Sequence, residues 1–181
     1  LVVKKIDNKV VIQMTIIRNG CNYGSKSYFP NPGKNGTDVN ENEIMQAFIC
    51  QFYEKNIPAE SILVNEYPKD KALIEEFLKK KHAFKVEIQS PQRGKKLELI
   101  NSALKNAEEN LNRKIYEKSS NQKNLMNIQN VFHFKKKIKK IEVYDNSHHQ
   151  GKSPIGAMIA FNEDGFLKSL YRKYNINSEH K

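Results

Sequence analysis

The sequence predicts an α/β fold, with a mixed (α+β) sheet in the first part of the chain and a shorter group of strands at the end. Three observations support this prediction. Apolar, β-branched runs separated by turn residues open the chain, helical apolar spacing then alternates with short strand patterns, and strand patterns return after residue 140. We therefore expect two structural parts with a polar connection between them.

The first three strands are predicted over 1–6, 10–17 and 23–29. The run from Val10 to Ile17 is nearly continuously apolar, which is typical of a strand buried on both faces. Asn19 and Gly20 favour a tight hairpin between the second and third strands. A loop rich in Pro, Gly and Asn is expected over 30–38.

Two helices and two short strands are predicted next. Asn40 and Glu43 have the spacing of a capping box at the start of the first helix. Its apolar stripe predicts packing against a sheet and consists of Ile44, Met45, Phe48, Ile49, Phe52 and Tyr53. The second helix is expected over 70–81, and the residues it should bury are Leu73, Ile74, Phe77 and Leu78. The strands are predicted over 61–66 and 84–88.

A long helix is predicted from Lys95 to about Ser119. Its apolar stripe consists of Leu97, Ile100, Leu104, Ala107, Leu111 and Ile115. The polar, Asn-rich stretch that follows is interpreted as a linker or a frayed helix end, and 121–139 as a basic linker.

Three strands, then helix, strand, helix, strand and helix is the element order of an RNase H-like fold, which is therefore predicted for residues 1–120. The first strand has no acidic residue in its middle. Asp38, Glu41 and Glu43 lie in a loop and a first helical turn, where carboxylates favour the helix dipole. We therefore expect this domain to be catalytically empty.

The second part, 140–181, opens with a strand that carries one carboxylate. Ile141, Val143 and Asp145 share one face of it by period-two alternation. A carboxylate buried in an apolar strand is costly unless it is paired, and a divalent metal is one such partner. The spacing alone is equally compatible with an aspartate that caps the next loop. Further strands are predicted over 155–161 and 166–176, joined by a turn at 162–165.

The net charge of +11 and the isoelectric point near 9.5 favour a phosphate-rich partner. The densest basic run, FHFKKKIKK over 132–140, directly precedes the Asp145 strand. Two interpretations of this run stay open: contact with a DNA backbone, or a solvated face whose lysines flank an apolar strand.

The cysteines, Cys21 and Cys50, have no metal-ligand spacing and predict no disulfide framework, which favours a reducing cytoplasm. The sequence predicts no membrane-spanning segment and no secretion signal. Because the chain begins at Leu1, we interpret it as an internal piece, or as the product of a broken or alternatively started reading frame.

Two long segments, IEVYDNSHHQG and GAMIAFNEDGFLKSLYRKYNI, resemble the start of the C-terminal nuclease domain of the UvrC family, the incision subunit of bacterial nucleotide excision repair. NYGSKSYFP, AFICQFY and SPQRGKKLELINSALKNAEENL are similar to the part of UvrC that precedes this domain. The resemblance covers nearly the whole chain. It implies an RNase H-like endonuclease domain, here truncated after its first β-hairpin unit, with damaged double-stranded DNA as its substrate.

The resemblance also implies roles for individual residues. Asp145 matches the first-strand aspartate that helps to hold Mg²⁺ or Mn²⁺ in the family, and His148 matches the DNSH element and is expected to orient its loop. Arg172 and Lys173 match the family's YRK element and are expected to approach the phosphodiester, although simple alternation on a half-exposed strand also accounts for them. Independently of the resemblance, the charge and position of the basic run predict DNA contact by Lys135, Lys136, Lys137, Lys139 and Lys140. A basic turn predicts phosphate contact by Arg93, Lys95 and Lys96, or else only exposed charge. The last group lies at a helix start, where backbone N–H groups also attract phosphate.

Two-metal phosphodiester hydrolysis needs more than one carboxylate, and Asp145 is the only strong candidate. Glu163 and Asp164 are interpreted as turn residues. The chain alone is therefore expected to be inactive. The intact family docks on a UvrB–DNA complex through a helix pair, and we do not recognise this pair in the sequence. Two alternatives remain: a non-catalytic basic DNA-binding module, or a decayed gene product.

Overall fold

The computed structural model describes residues 1–30, 40–149 and 152–176, without the side chains of residues 148, 149, 152 and 153. The predicted Pro- and Gly-rich loop lies, apart from Pro30, outside the described residues. The chain divides into two compact units, Leu1–Asn112 and Arg113–Lys181. Nowhere in the described chain is a helix long and apolar enough to cross a membrane.

The first unit is a mixed α/β structure whose order of elements confirms the prediction. Its strands are β1 (Val2–Ile6), β2 (Lys9–Arg18), β3 (Cys21–Tyr28), β4 (Ser61–Leu63) and β5 (Glu87–Gln89). Its helices are α1 (Glu41–Lys55), α2 (Lys71–His82) and the first part of α3 (Gly94–Val131). Strands β1, β2 and β3 form an antiparallel sheet, and β4 and β5 form a parallel pair.

Side-chain and backbone hydrogen bonds link β1 to the segment of β4. The Val3 nitrogen donates to Asn65 Oδ1 at 2.8 Å, and Asn65 Nδ2 donates back to the Val3 carbonyl at 2.9 Å. The Leu1 nitrogen donates to the Leu63 carbonyl at 2.7 Å. One hydrophobic core therefore joins both sheets, with Val3, Ile12, Ile62 and Ile88 among its members.

Burial of β2 on both faces is confirmed only for its first half. Val10 to Gln13 are buried, whereas the strand beyond them is half-buried or exposed. The reason is the register: β1 pairs with β2 only as far as Gln13, so among the described strands only β3 pairs with residues 14–18.

Helix α1 buries four residues of the predicted stripe, of which Met45 and Ile49 are fully inaccessible. Phe48 and Phe52 are partly buried and pack against the same core. The predicted capping box is wrong. Asn40 is the N-cap residue but makes no side-chain cap bond, and the Glu43 and Ile44 nitrogens donate to its backbone oxygen at 3.1 Å. The Glu43 carboxylate pairs instead with Lys69 at 3.2 Å.

The prediction for α2 is half right. Ile74 and Leu78 are buried, but Leu73 is 65% and Phe77 39% exposed. The helix packs on the core along a stripe only one side chain wide, and the Lys81 ammonium covers the Phe77 ring at 5.7 Å. Side chains one residue before the stripe therefore face solvent.

Helix α3 continues to Val131, so the helix end predicted near Ser119 is wrong. The stretch interpreted as a linker or a frayed helix end is helical as far as Val131. Leu125 is buried within that stretch. Lys118, Asn121 and Gln122 hold a β-turn through contacts with Glu163 and Asp164. Tertiary contacts therefore keep this polar sequence helical where local pattern predicts fraying.

The second unit contains one antiparallel sheet centred on β7 (Lys152–Asn162). β7 pairs with β6 (Ile141–His149), β8 (Gly165–Phe166) and β9 (Arg172–Asn175). The continuous strand predicted over 166–176 is wrong: a 3₁₀ turn at Lys168–Leu170 interrupts it. The turn absorbs extra residues, because Phe161 pairs with Phe166 but Met158 pairs with Arg172.

Candidate functional site

Asp145 lies in the middle of β6, opposite Ala157 of β7. The predicted face is confirmed: paired register places Val143 and Asp145 with Ile159 and Ala157 on one side of the sheet. This side is open to solvent, with Val143 51% and Ile159 36% exposed and Asp145 exposed as well. The carboxylate therefore carries no burial penalty, and the desolvation reasoning applied to the sequence does not hold for it.

Lys173 lies in the same row of the sheet as Asp145. Ala157 pairs with Asp145 on one side and with Lys173 on the other, so the two charged residues share a face two strands apart. Strand spacing sets their Cα atoms roughly 10 Å apart. The small side chain of Ala157 is the residue of this row that lies between them.

Arg172 points to the opposite face, because it pairs with Met158, which is 7% exposed. Its guanidinium donates to the carbonyls of Ser169 and Tyr171 at 3.1 and 2.8 Å. The sequence predicted Arg172 and Lys173 as one contact group, but the alternation of the strand separates them.

The described carboxylates do not complete a metal cage around Asp145. Within the described part of the chain, no group of three or more His, Cys, Asp or Glu side chains is arranged to hold a metal ion. Glu163 and Asp164 lie in the β7–β8 turn, where the Asp164 nitrogen donates to Asn162 Oδ1 at 2.8 Å, as expected of turn residues. The side chain of His148 lies outside the described residues. The described residues therefore offer one carboxylate on this face, that of Asp145, toward a site for Mg²⁺ or Mn²⁺.

The basic run follows the end of α3 and is open to solvent. Lys135, Lys136, Lys137 and Lys139 are exposed, and no carboxylate of the described residues lies within ion-pair distance of them. The run leads directly into β6, the strand of Asp145. The described residues thus present four cations outside any ion pair, beside the first strand of this sheet.

Lys140 differs from the other lysines of the run. Its ammonium pairs with Glu142 at 2.6 Å, and the Tyr144 hydroxyl donates to the same carboxylate at 2.9 Å. The hydrogen bonds from Lys140 and then Tyr144 lower the pKa of Glu142, and the bond to Glu142 raises the pKa of Tyr144. The positive charge of Lys140 is therefore partly compensated by Glu142.

Two aromatic residues of the run were missed as functional candidates. Phe132 and Phe134 are 65% and 51% exposed, and their rings stack with centroids 5.7 Å apart and planes 14° from parallel. The signal was present in the sequence, since aromatic residues interleaved with lysines are typical of nucleic-acid surfaces.

The third predicted contact group lies in the first unit. Gly94 opens α3 with φ of 71°, and Arg93 and Lys95 next to it are exposed. Lys96 donates to Gln89 Oε1 at 2.7 Å, which holds its ammonium near β5. The group is accessible, and nothing else in the described residues marks it as a binding site.

Comparison with known proteins identifies both parts of the chain. Residues 1–114 match the family described as "UvrC Ribonuclease H-like domain", and residues 129–181 match "UvrC RNAse H endonuclease domain". The UvrABC system protein C of Hyphomonas neptunium is 42% identical over 91% of this chain and 26% of its own length. Those of Rhodopseudomonas palustris (strain BisB18) and Ruegeria pomeroyi are 40% and 37% identical, over 93% and 96% of this chain and 24% and 27% of their own lengths. The chain spans about a quarter of the length of these relatives, and it belongs to the UvrC family.

Proposed function

We propose that this chain is the segment of a UvrC-type excision nuclease subunit that joins a catalytically empty RNase H-like domain to the first strands of the nuclease domain. The intact subunit then makes the metal-dependent 5′ incision in damaged DNA during nucleotide excision repair. The observation that carries the proposal is the exposed row of Asp145 and Lys173, inside the segment that matches an RNase H endonuclease domain.

Asp145 is proposed to supply one carboxylate to a site for Mg²⁺ or Mn²⁺. When bound, the metal would activate water and stabilise the leaving oxygen. Lys173 would hold the phosphate on the same face, because its ammonium carries the complementary charge. The described residues supply one carboxylate there, so the chain by itself is proposed to be inactive as a nuclease.

The lysines of the basic run are proposed to hold the DNA backbone. Lys135, Lys136, Lys137 and Lys139 carry exposed charge outside any described ion pair, whereas Lys140 contributes less because Glu142 pairs with it. Arg93, Lys95 and Lys96 are proposed as a further, weaker phosphate contact at the start of α3. Arg172 lies on the other face of the sheet and is proposed as a DNA contact separate from Lys173.

The RNase H-like arrangement of the first unit is proposed to place its strands in the order β3-β2-β1-β4-β5. The Leu1 and Asn65 hydrogen bonds support the β1–β4 neighbourhood, and the ladder pairings support the rest. The proposed domain bounds are 1–120 and 140–181, with the connection at 121–139 helical as far as Val131. The whole subunit is proposed to act on a UvrB–DNA complex in the cytoplasm. A reducing compartment suits the two free cysteines of this chain.

DNA binding by the whole chain tests the proposal most directly. We expect log Kd for a lesion-bearing duplex to rise linearly with the logarithm of the salt concentration, because binding releases counterions. Replacing Lys135, Lys136 and Lys137 with Gln should reduce the slope by about 1 for each phosphate that is no longer neutralised. The matched control replaces Lys79, Lys80 and Lys81 of α2, an equal change of charge in the other unit. Equal slopes for the two variants would contradict the proposed contact.

A nicking assay tests the catalytic part. The chain with Mg²⁺ or Mn²⁺ should not incise lesion-bearing DNA, because one carboxylate cannot support two-metal chemistry. Metal-dependent cleavage that Asp145→Asn abolishes would overturn the proposed inactivity.

The second candidate function is a DNA-binding module without catalytic chemistry. The exposed charges of the basic run favour it, since they need no metal. This module predicts the same salt slope with or without Mg²⁺, and Asp145→Asn should not change its affinity. A metal-induced gain in affinity that is lost in Asp145→Asn would favour the nuclease segment instead.

A further inference from the structure

We propose that Phe132 and Phe134 form a stacking platform for an unpaired base of single-stranded DNA, whose backbone the neighbouring lysines hold. This inference rests on the proposed contact between the basic run and DNA, and it adds a binding mode that distinguishes single strands from duplex. The platform is defined as the two phenyl rings together with the open cavity beside them.

The two rings are held in place by the backbone that ends α3. His133 adopts a left-handed φ of 54°. Its nitrogen donates to the Asn130 carbonyl at 3.2 Å, and the Phe134 nitrogen donates to the Gln129 carbonyl at 3.0 Å. This pair of bonds is a Schellman motif, which fixes the chain direction after a helix. The backbone that carries the two rings is therefore already ordered before a ligand binds.

The Schellman motif accounts for one ring and leaves the other unexplained. In this motif the residue two places after the helix cap packs back on the last turn. Phe134 has that position, and it lines the same cavity as Ile128 of the last turn. Phe132 has no such role and is 65% exposed. An exposed ring stacked nearly parallel on a fixed partner presents its free face to a ligand.

The cavity beside the rings suits a flat aromatic group. It has a volume of about 370 Å³ and is open to solvent. Lys140 is its one charged lining residue, and the lining consists of Ile128, Phe132, Phe134, Ile138, Lys140 and Ile141. Small-molecule sites combine such apolar walls with a few polar groups that fix orientation. A nucleobase lying against Phe132 would meet apolar surface on its face and Lys140 at its edge.

The charges around the platform select the occupant. Lys135, Lys136, Lys137 and Lys139 follow the rings directly in the chain and form no ion pair with a carboxylate of the described part. Stacking rings next to a cationic track are the combination that binds single-stranded nucleic acid without sequence preference. Duplex DNA has the same phosphates but keeps its bases stacked internally, so the rings should add affinity for single strands only.

The test measures binding of the whole chain to a fluorescent oligothymidylate and to a duplex of equal length. Phe132→Leu combined with Phe134→Leu should weaken single-strand binding by roughly 5- to 100-fold, because each stacked base contributes about that factor. Duplex affinity should not change. The matched control is Phe166→Leu, which removes a ring of similar exposure (60%) from the same unit and should alter neither affinity.

A second variant keeps the test decisive if the double substitution disturbs folding. Phe132→Leu alone should weaken single-strand binding. Phe132→Tyr should bind single strands as tightly as the parent chain, because tyrosine keeps the ring. Both should retain the circular dichroism spectrum of the parent chain, since Phe132 lies outside the Schellman contact.

The outcomes separate the two proposals. If the ring variants bind single strands as the parent does while Lys135, Lys136 and Lys137 substitutions still lower the salt slope, the stacking platform is wrong and the lysine contact stands. If neither set changes binding, both are wrong. If an acidic or apolar peptide binds the chain and displaces oligothymidylate, the cavity is a protein-binding site and the inference is wrong.

Discussion

Leu73 and Leu78 lie on the same helix but differ completely in burial. Leu78 is fully inaccessible in the core of the first unit, and Leu73 is 65% exposed. We expect Leu78→Ala to lower the free energy of unfolding by about 2–5 kcal/mol, because it removes buried methyl groups and leaves a cavity. Leu73→Ala should change it by less than about 0.5 kcal/mol. Urea unfolding of both variants checks this, and equal losses of stability would contradict the packing of α2.

Glu163 offers a prediction about pH at the scale of one residue. Hydrogen bonds from Gln122 and then Lys118 lower the pKa of Glu163 below its ordinary value of 4.5. A carboxyl whose pKa is lower when folded stabilises the fold above pH 4.5, and this contribution is lost as the pH falls through the lowered pKa. Removing the first bond, of 2.9 Å, with Gln122→Leu should therefore raise the pKa of Glu163.

The measurement is an NMR titration of the Glu163 carboxyl carbon in the parent chain and the variant. The stability difference between the two in urea should also be larger at about pH 6 than below the lowered pKa. Gln129→Leu on the same helix is the control and should leave the titration unchanged. A Glu163 titration that is identical in the Gln122 variant would show that this bond is not formed in solution.

At the scale of elements, apolar periodicity predicted every helix and nearly every strand, because it reports which residues a core must bury. It could not report partners that are distant in sequence. The polar end of α3 stays helical because Lys118 and Gln122 contact the turn at Glu163 and Asp164. The interruption of the last strand likewise depends on pairing with β7, which local pattern does not contain.

The candidate site was predictable to a similar extent. The period-two pattern correctly placed Asp145 on a face with Val143, but it could not say that this face is open to solvent. It also did not separate Lys173 from Arg172, although strand alternation requires them to face opposite ways. The metal role of Asp145 rested on its place in an apolar strand and on the resemblance to the family, and it remains a prediction.

The continuity of α3 gives a prediction for a single element. Asn124 is exposed and lies inside the helix, well before its end at Val131. Asn124→Pro should cost about 3 kcal/mol of stability in the second unit, because proline removes a helix bond and clashes with the preceding turn. In a linker the same change would cost nothing. Urea unfolding followed by circular dichroism measures the cost, and Asn124→Ala, which should be neutral or slightly stabilising, is the control.

At the scale of the whole molecule, the charge of +11 has different consequences in the two units. Lysines of α2 are partly engaged, as in the Lys80–Glu76 pair at 2.6 Å and the Lys81 contact with Phe77. The basic run at 135–139 has no such described ion pairs. The sequence count of lysines alone therefore could not identify which charges are available to a phosphate backbone.

The distribution of buried side chains leads to a last prediction, for the stability of the two units. In the described residues, the apolar side chains that the second unit buries are Leu125, Met158 and Ala160. The first unit has a continuous core with many fully inaccessible members, such as Ile12 and Leu78. Since burial of apolar area is the main stabilising term, the free energy needed to unfold the second unit should be lower than that for the first unit.

Hydrogen exchange of the whole chain, read by mass spectrometry at neutral pH, measures this difference. Peptides from β6 and β7 should exchange faster than peptides from β1 and β2, although all four strands are antiparallel and paired with a neighbour. In urea the slower-exchanging strands should lose protection in a second, later transition. Both strand pairs are hydrogen-bonded, so a difference in protection should come from burial. Equal protection of β6–β7 and β1–β2 would therefore mean that something other than the described residues covers the exposed face around Val143 and Ile159 in solution.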